Sequence, residues 1–252
     1  MSELKITDLT VQYGRGHLAR TVVDHIDLTV PDRQVLGLVG ESGSGKSTVA
    51  RAILGLVKPV SGRIAVGDQE LRRLPAATRA QRVQMIFQDP YGSLNPRMTV
   101  QQIIAEGLES RADLSRTARD DEVGRLLELV SLGSELRGRV PRQLSGGQRQ
   151  RIAIARALAA RPDIIVADEI TSALDVSVQA QVLNVLRDIL RRESRSMLFI
   201  SHNLAVVRYI SDYVAVMQHG RIVETGTVES VMSDPSSEYT RTLLAAVPTL
   251  AG

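Results

Sequence analysis

The sequence predicts an α/β protein with a parallel core sheet, an antiparallel β-region at its start and a helical region inserted into the core. An apolar run, a glycine- and serine-rich loop and a helical pattern follow one another between residues 35 and 56. Two further apolar runs, at 163–168 and 196–201, flank a helix that is predicted over 177–192. This order is typical of a parallel βαβ crossover. Residues 89–160 show helical patterns and few strand patterns, which indicates a helical insertion.

The first forty residues predict three strands. Apolar and polar side chains alternate over residues 4–11 and 22–30, as in strands with one buried face. The turn-forming glycines at 14 and 16 favour antiparallel pairing of these two strands. Residues 35–39 are apolar throughout, which indicates a strand buried on both faces. The glycine-rich loop comes next, and a helix is predicted from Lys46 to about Leu56.

The middle of the chain is mainly helical, with a short strand before it and a hairpin after it. The helices are predicted over residues 100–109, 117–130 and 145–160, the strand over 82–87, and the hairpin over 213–217 and 221–224 around His219-Gly220. The predicted division is therefore a core of residues 1–88 and 161–230, a helical subdomain of residues 89–160 and a tail of residues 231–252.

Composition excludes several classes of protein. The 252 residues are 43% hydrophobic and 23% charged, which is ordinary for a globular protein and excludes disordered and fibrous classes. No uncharged apolar run approaches the ~18–20 residues of a membrane-spanning helix, and residues 1–5 do not open a secretory signal. Without cysteine, the chain has no disulfide, no thiolate metal site and no cysteine nucleophile. A soluble, cytosolic protein is expected.

The basic charge is weak evidence for a nucleic-acid partner. The net charge is +3 and the isoelectric point is near 9.5, but the basic residues are scattered along the chain. Aromatic residues make up 3% of the chain and tryptophan is absent, so a stacking surface for bases is not expected. We predict no nucleic-acid partner.

A phosphate-binding loop is predicted directly after the first buried strand. Residues 40–48 fit the P-loop pattern of glycine, four residues and Gly-Lys-Ser. Glycines let successive backbone N–H groups surround a phosphate, Lys46 adds a positive charge for the β- and γ-phosphates, and Ser47 offers a hydroxyl to Mg²⁺. A plain Gly/Ser turn is the alternative, but the flanking strand and helix favour a nucleotide. The residues predicted to bind ATP here are Gly40, Ser42, Gly43, Gly45, Lys46, Ser47 and Thr48.

A carboxylate pair ends the second buried strand. Asp168 is placed to hold Mg²⁺, and Glu169 to orient and polarise the attacking water as a general base. Such a pair could instead cap a helix. Its combination with a P-loop favours catalysis.

The segment Leu144-Ser145-Gly146-Gly147-Gln148 predicts a second anion site at the start of a helix. Ser145 is a suitable cap, and the two glycines expose N–H groups. A Gly-Gly hinge before an ordinary helix is the alternative. One chain needs only one cradle for a triphosphate, so the second cradle makes sense if Ser145, Gly146, Gly147 and Gln148 grip a nucleotide held by another subunit. With these motifs in this order, the chain resembles the ATPase subunits of ABC transporters over essentially its whole length.

The resemblance implies a P-loop NTPase fold of the ABC ATPase type, with an N-terminal antiparallel β-subdomain and an inserted α-helical subdomain. It also implies roles for four further residues. Gln88 matches the glutamine that senses Mg²⁺ and the attacking water, and His202 the histidine that contacts the γ-phosphate. Asp175, in Ser172-Ala173-Leu174-Asp175, matches the residue that faces the partner subunit. Tyr13 matches the aromatic that stacks on adenine.

One position departs from the family pattern. Proline is common after the Asp-Glu pair, whereas this chain has Ile170. Proline would stiffen the turn that carries Glu169. We expect Glu169 to be less rigidly held and hydrolysis to survive.

Three segments resemble the dipeptide, oligopeptide and nickel importer subgroup: residues 88–100, 172–181 and 238–248. The resemblance implies an ATP-hydrolysing subunit at the cytoplasmic face of the membrane, which uses ATP and Mg²⁺ and whose cargo is di- or oligopeptides. Its implied partners are a second ATPase subunit in a head-to-tail dimer, two transmembrane permease subunits and an extracytoplasmic solute-binding protein. The alternatives are a nickel or other-solute importer, an accessory ATPase of a phosphonate-degrading complex, and a catalytically silent regulator.

Overall fold

The computed structural model describes residues 3–14, 16–111 and 114–245. These residues form two compact units. The first unit comprises the described residues up to Leu74 and from Ser196 onward, and the second is Pro75–Arg195. The three parts predicted from the sequence have other boundaries than these two units, and that division stays a prediction. Residues 246–252 of the predicted tail lie outside the described residues.

The strands, in chain order, are β1 (Leu4–Tyr13), β2 (Arg20–Val30), β3 (Val35–Val39), β4 (Ser61–Val66), β5 (Gln69–Glu70), β6 (Val83–Ile86), β7 (Ile164–Asp168), β8 (Ser196–Ile200), β9 (Tyr213–Gln218) and β10 (Arg221–Thr227). The helices are α1 (Lys46–Ile53), α2 (Ala76–Arg82), α3 (Pro90–Ser93), α4 (Val100–Gly107), α5 (Arg116–Leu129), α6 (Gly146–Ala159), α7 (Val176–Glu193), α8 (Leu204–Ile210), α9 (Val228–Ser233) and α10 (Glu238–Ala245).

The first unit contains an antiparallel sheet in the order β2-β1-β4-β5. The predicted antiparallel pair at the start of the chain is confirmed, since Leu4 lies opposite Val30 and Tyr13 opposite Arg20. The connection between the two strands includes a 3₁₀ turn at Gly16–Leu18, and Arg15 lies outside the described residues. Strands β4 and β5 were not predicted from the sequence.

The same unit contains the parallel strands that the sequence predicted. Strand β3 lies between β8 and β9 and is parallel to both, and β10 pairs antiparallel with β9. All five residues of β3 and of β8 are buried, as their unbroken apolar sequences require. The predicted α/β class is therefore confirmed.

The second unit contains two parallel strands and the helices from α2 to α7. Strand β6 is parallel to β7, with Ile86 opposite Ala167. Helices α4, α5 and α6 are preceded by the N-cap residues Thr99, Ser115 and Ser145, whose hydroxyls accept a backbone N–H of the first turn. Such caps satisfy backbone donors that have no partner within the helix.

Helix α1 ends earlier than predicted. It stops at Ile53 instead of Leu56, and Gly55 follows with a φ of 72°. This left-handed conformation ends a helix and is easy only for glycine. Within the described residues, no helix is both long and apolar enough to span a membrane.

Candidate functional site

The glycine-rich loop of the first unit joins the buried strand β3 to helix α1. Gly40 and Gly45 have φ angles of 149° and 112°, backbone conformations that residues with a Cβ atom rarely adopt. A Cβ atom on Gly45 would lie 2.8 Å from the carbonyl oxygen of Val22, so this position also lacks space for a side chain. Helix α1 begins at Lys46, and the N–H groups of Thr48 and Val49 both donate to the carbonyl oxygen of Gly45 at 3.0 Å. The N-terminal end of a helix carries a partial positive charge, which favours anions.

Lys46 is folded against the loop that precedes it. Its side chain is 5% exposed, and its ammonium group donates to the carbonyl oxygens of Gly40 and Glu41 at 2.8 Å each. It also lies 3.4 Å from the hydroxyl of Ser44. A buried ammonium needs such acceptors. These bonds hold the charge of Lys46 against the backbone of the loop.

The hairpin of β9 and β10 supports the loop from one side. Its turn, His219-Gly220, has φ angles of 47° and 84°, the combination typical of a two-residue hairpin turn. The N–H of Gly220 donates to the carbonyl oxygen of Ser44 at 2.9 Å, and its carbonyl oxygen accepts from the N–H of Asp24 at 2.9 Å. The predicted hairpin is confirmed, and it holds the loop in place.

His202 lies at the same edge of the sheet as the loop. Strands β3 and β8 are parallel, with Leu38 opposite Ile200, so Gly40 and His202 both follow carboxyl ends of neighbouring strands. His202 is exposed and directly precedes Asn203, whose side chain caps α8. Tyr13 ends β1 in the antiparallel sheet and is 39% exposed.

In the second unit, the carboxylate pair and Gln88 also follow neighbouring parallel strands. Asp168 ends β7 and is 9% exposed. Glu169 has a φ of 49°, a left-handed conformation that is strained for a glutamate. Its carbonyl oxygen accepts from the N–H of Ser172 at 3.1 Å and from the hydroxyl at 2.9 Å. The amide of Gln88 donates to the same hydroxyl at 3.2 Å, so Ser172 connects Gln88 to the backbone of Glu169.

The segment 144–148 opens α6 with a reciprocal capping box. The hydroxyl of Ser145 accepts from the N–H of Gln148 at 3.2 Å, and the side-chain oxygen of Gln148 accepts from the N–H of Ser145 at 2.9 Å. Gly147 packs against α7, since a Cβ there would lie 2.5 Å from a methyl group of Val178. Ser145 is exposed. The box orients the first turn of α6, in which Gly146 is half-buried and Gly147 is buried.

Asp175 lies beside this segment at the start of α7. It occupies the N-cap position, yet its side chain makes no capping hydrogen bond, and the residue is exposed. The loop from Glu169 to Asp175 joins β7 to α7. A Cβ on Gly146 would lie 3.3 Å from a methyl group of Leu174, so this loop lies against the start of α6.

The predicted metal ligands suit a hard cation. Ser47, Gln88 and Asp168 offer hydroxyl, amide and carboxylate oxygens, the donor type that Mg²⁺ prefers. In the described part of the chain, no group of three or more His, Cys, Asp or Glu residues is arranged to hold a metal ion.

Within each unit, the structure brings together most of the predicted residues. The loop 40–48 and His202 share one edge of the first unit, and Gln88, Asp168 and Glu169 share one edge of the second. Ser172 and Tyr239 are two residues that the sequence patterns did not assign: Ser172 bonds to Gln88, and the hydroxyl of Tyr239 accepts from the N–H of Glu41 at 3.1 Å. Only their hydrogen bonds reveal them.

Comparisons with known proteins agree on the family. The sequence pattern of the ABC transporter family matches residues 23–172. A protein of Brucella abortus (strain 2308), named as a peptide import ATP-binding protein, is 48% identical over 97% of this chain and 76% of the relative. A protein of the same description from Brucella ovis is 44% identical over 97% of this chain and 78% of the relative.

Solved structures show the same fold. A dimeric ATP-binding cassette in a post-hydrolysis state, bound to ADP and Pi, matches with a TM-score of 0.79 and 26% identity over 89% of this chain and 98% of that chain. A dimeric bacterial ABC transporter cassette matches with a TM-score of 0.78 at the same identity and coverage. The chain therefore belongs to the ABC transporter family, and it is an ATP-binding, ATP-hydrolysing member of that family.

Proposed function

We propose that this ATPase is the energy-supplying subunit of a binding-protein-dependent importer whose cargo is peptides. The observation that carries the proposal is the identity of 44–48%, across 97% of the chain, to Brucella proteins whose names describe peptide import. The importer-like segments at 88–100 and 172–181 support the same subgroup.

The proposed roles rest on the family resemblance, and the local geometry of each unit supports them. The loop 40–48 binds the phosphates of ATP, with Lys46 exchanging loop carbonyls for phosphate oxygens. Glu169 orients and polarises the attacking water, and His202 contacts the γ-phosphate. Tyr13 stacks on adenine. Mg²⁺, when bound, neutralises charge on the β- and γ-oxygens, and Ser47, Asp168 and Gln88 are the residues that would hold it.

A second copy or a related ATPase completes the proposed site. The start of α6, with residues 145–148, would bind the nucleotide held by the other chain, and Asp175 would face that chain. The dimeric state of both structural relatives supports this arrangement. ATP contacts would favour the closed dimer and hydrolysis would release it. Two permease subunits would hold the dimer at the cytoplasmic face of the membrane, receiving the surface around 88–96, and an extracytoplasmic binding protein would deliver the cargo.

Purification from membranes tests the importer proposal. The tagged chain, extracted in mild detergent from its native cells, is expected to bring down two polytopic membrane proteins, with ATP hydrolysis stimulated by peptide-loaded binding protein. A purely soluble complex would overturn the proposal and favour an accessory ATPase. Stimulation by nickel-loaded or sugar-loaded binding protein, and not by peptide-loaded protein, would overturn the peptide cargo alone.

The variant Glu169→Gln tests the catalytic assignment. Loss of the general base is expected to reduce hydrolysis by roughly 10²–10⁴-fold while ATP binding persists, so the variant should accumulate as an ATP-bound dimer. Phosphate release and light scattering after size exclusion measure the two effects. The variant Glu128→Gln, at an exposed position of α5, is the control. Hydrolysis at the parental rate would remove Glu169 from the mechanism.

A further inference from the structure

The hydrogen bond between Tyr239 and the P-loop connects two segments that are 198 residues apart in the chain. Tyr239 lies in the first turn of α10, and its phenolic oxygen accepts from the N–H of Glu41 at 3.1 Å. Glu41 directly follows Gly40, so its N–H belongs to the same peptide as the carbonyl of Gly40, which accepts from the ammonium group of Lys46 at 2.8 Å. The Gly40–Glu41 peptide is thus held at its N–H by α10 and at its carbonyl by Lys46.

Helix α10 is itself fixed to the sheet that supports the loop. One carboxylate oxygen of Glu224, in β10, accepts from the N–H and the hydroxyl of Ser236 at 2.7 and 2.9 Å, and the other accepts from the N–H of Ser237 at 3.2 Å. A carboxylate at these N–H groups, directly before α10, is favourable for the start of a helix. The guanidinium of Arg241 also donates to the carbonyl oxygen of Pro235 at 2.8 Å.

One hairpin therefore supports the loop by two routes. The turn of the β9–β10 hairpin bonds directly to Ser44 through Gly220. The strand β10 bonds to α10 through Glu224, and α10 reaches Glu41 through Tyr239. The two routes hold opposite ends of the four-residue segment between Gly40 and Gly45.

We infer that Tyr239 is a positioning residue for the P-loop, which keeps the Gly40–Glu41 peptide in its nucleotide-binding conformation. When phosphate oxygens replace the loop carbonyls around Lys46, the carbonyl of Gly40 loses its ammonium partner. The bond from Tyr239 to the N–H of Glu41, in the same peptide, remains and fixes the peptide plane. A loop ordered in advance binds its ligand more tightly because less conformational freedom is lost on binding. The inference rests on the proposed assignment of residues 40–48 to ATP phosphates.

The variant Tyr239→Phe removes the acceptor and keeps the ring. We expect the Kd for ATP and ADP and the KM for ATP to rise about three- to tenfold, with kcat within twofold of the parent, because the lost ordering affects ground state and transition state equally. Calorimetric titration gives the Kd and steady-state phosphate release gives the KM and kcat. Tyr209→Phe, which removes the same hydroxyl from α8 of the same unit, is expected to leave the Kd unchanged.

The anchor of α10 gives a second, independent test. Glu224→Ala should also raise the Kd for ATP, although Tyr239 is intact. The Kd of the double variant should not exceed the higher Kd of the two single variants, because both substitutions act through one contact. A parental Kd in Tyr239→Phe and in Glu224→Ala would overturn the inference, whatever their melting temperatures. The variant Lys46→Ala separates the role of Tyr239 from the assignment of residues 40–48 to ATP phosphates. If Lys46→Ala binds nucleotide with parental affinity, the assignment of the loop is wrong. If Lys46→Ala loses affinity while Tyr239→Phe and Glu224→Ala do not, only the role of Tyr239 is wrong.

Discussion

The two glycine-containing helix starts of this protein are built in different ways. In the first unit, the loop before α1 depends on left-handed glycines, including Gly40 and Gly45, and on a buried lysine folded over its carbonyls. In the second unit, α6 begins with a standard capping box between Ser145 and Gln148. The first loop is shaped by contacts from outside it, with the β9–β10 hairpin and α10 bonded to its backbone, whereas the second is an ordinary helix start ordered by its own side chains. The roles proposed for them differ likewise, the first holding the nucleotide and the second contacting a nucleotide held by another chain.

Removing the lysine should have the largest effect on the first of these regions. Lys46→Ala deletes the charge that we assign to the phosphates, and loss of one such preorganised contact commonly reduces activity by about 10²–10³-fold. Nucleotide affinity and phosphate release measure the effect. Lys58→Ala is a matched control because Lys58 is an exposed lysine beyond the end of α1. Unchanged ATP affinity in Lys46→Ala would mean that the loop is not the nucleotide site.

A side chain at Gly147 should damage the second region and spare the first. The added Cβ of Gly147→Ala would meet a methyl group of Val178, and such overpacking costs about 1–3 kcal/mol. We expect hydrolysis to fall roughly tenfold, the equivalent of about 1.4 kcal/mol, while the affinity for ADP stays within twofold. Urea unfolding and phosphate release measure the two effects.

Two further variants make this experiment specific to the contact. Val178→Ala in the same chain removes the opposing methyl group and should restore stability. Gly138→Ala adds a Cβ that would meet no atom within 4 Å and should leave stability within about 0.5 kcal/mol. If Gly147→Ala is as stable and active as the parent, close packing of α6 on α7 is not required for its function.

Acid should weaken the second unit through one ion-pair cluster. Hydrogen bonds from Arg125 hold the pKa of Glu122 below its usual range, with Arg161 and Arg111 adding to the effect and burial opposing it. Arg125 also donates to Glu193 at the end of α7 at 3.0 Å, so the cluster joins α5 to α7. A carboxyl group with a lowered pKa stabilises the fold above its ordinary pKa of about 4.3, and this contribution is lost as the pH falls through the lower, folded-state pKa.

The variant Glu122→Gln should remove this pH dependence. At pH 7 we expect a loss of about 1–2 kcal/mol, the usual contribution of a hydrogen bond to a charged group when it is partly exposed. Between pH 5 and pH 3 the variant should lose less stability than the parent does. Urea unfolding across this range measures both, with Glu128→Gln on the same helix as the control. Parallel stability curves for the variant and the parent would exclude Glu122 from the acid response.

The sequence predicted the parts of the fold that rest on local patterns. The apolar runs of β3, β7 and β8, and the alternation in β1 and β2, were sufficient to predict these strands. The burial of each strand follows from the pattern of apolar residues within that strand. Strand β4 was missed because Ser61-Gly62-Arg63 is exposed or half-buried and only its second half is apolar. It is a strand because it pairs with β1, some fifty residues earlier. The bond from Tyr239 to Glu41 could not be predicted for the same reason, since no pattern joins positions so far apart.

The smallest effect is expected at Ile170, where the chain departs from the family pattern. Without proline, the turn at Glu169 was expected to be looser. In the structure, Ser172 holds the carbonyl of Glu169 through its N–H and its hydroxyl, and Ile170 is buried at 1% exposure. These contacts replace the stiffening that proline would supply. We therefore expect Ile170→Pro to change phosphate release by less than tenfold, with a small loss of stability from the missing side-chain volume.

Ser172→Ala is the informative companion of that variant. If hydrogen bonds fix the turn, Ser172→Ala should lower hydrolysis more in the parent than in Ile170→Pro, where the ring restricts the backbone independently. A double-mutant cycle on phosphate release measures the interaction between the two substitutions. This interaction shows how much Ser172 contributes to holding the turn at Glu169 in its conformation. A drop of a hundredfold or more in Ile170→Pro alone would show that the backbone at Ile170 cannot accept the proline conformation, and that the strained turn of Glu169 depends on the isoleucine itself.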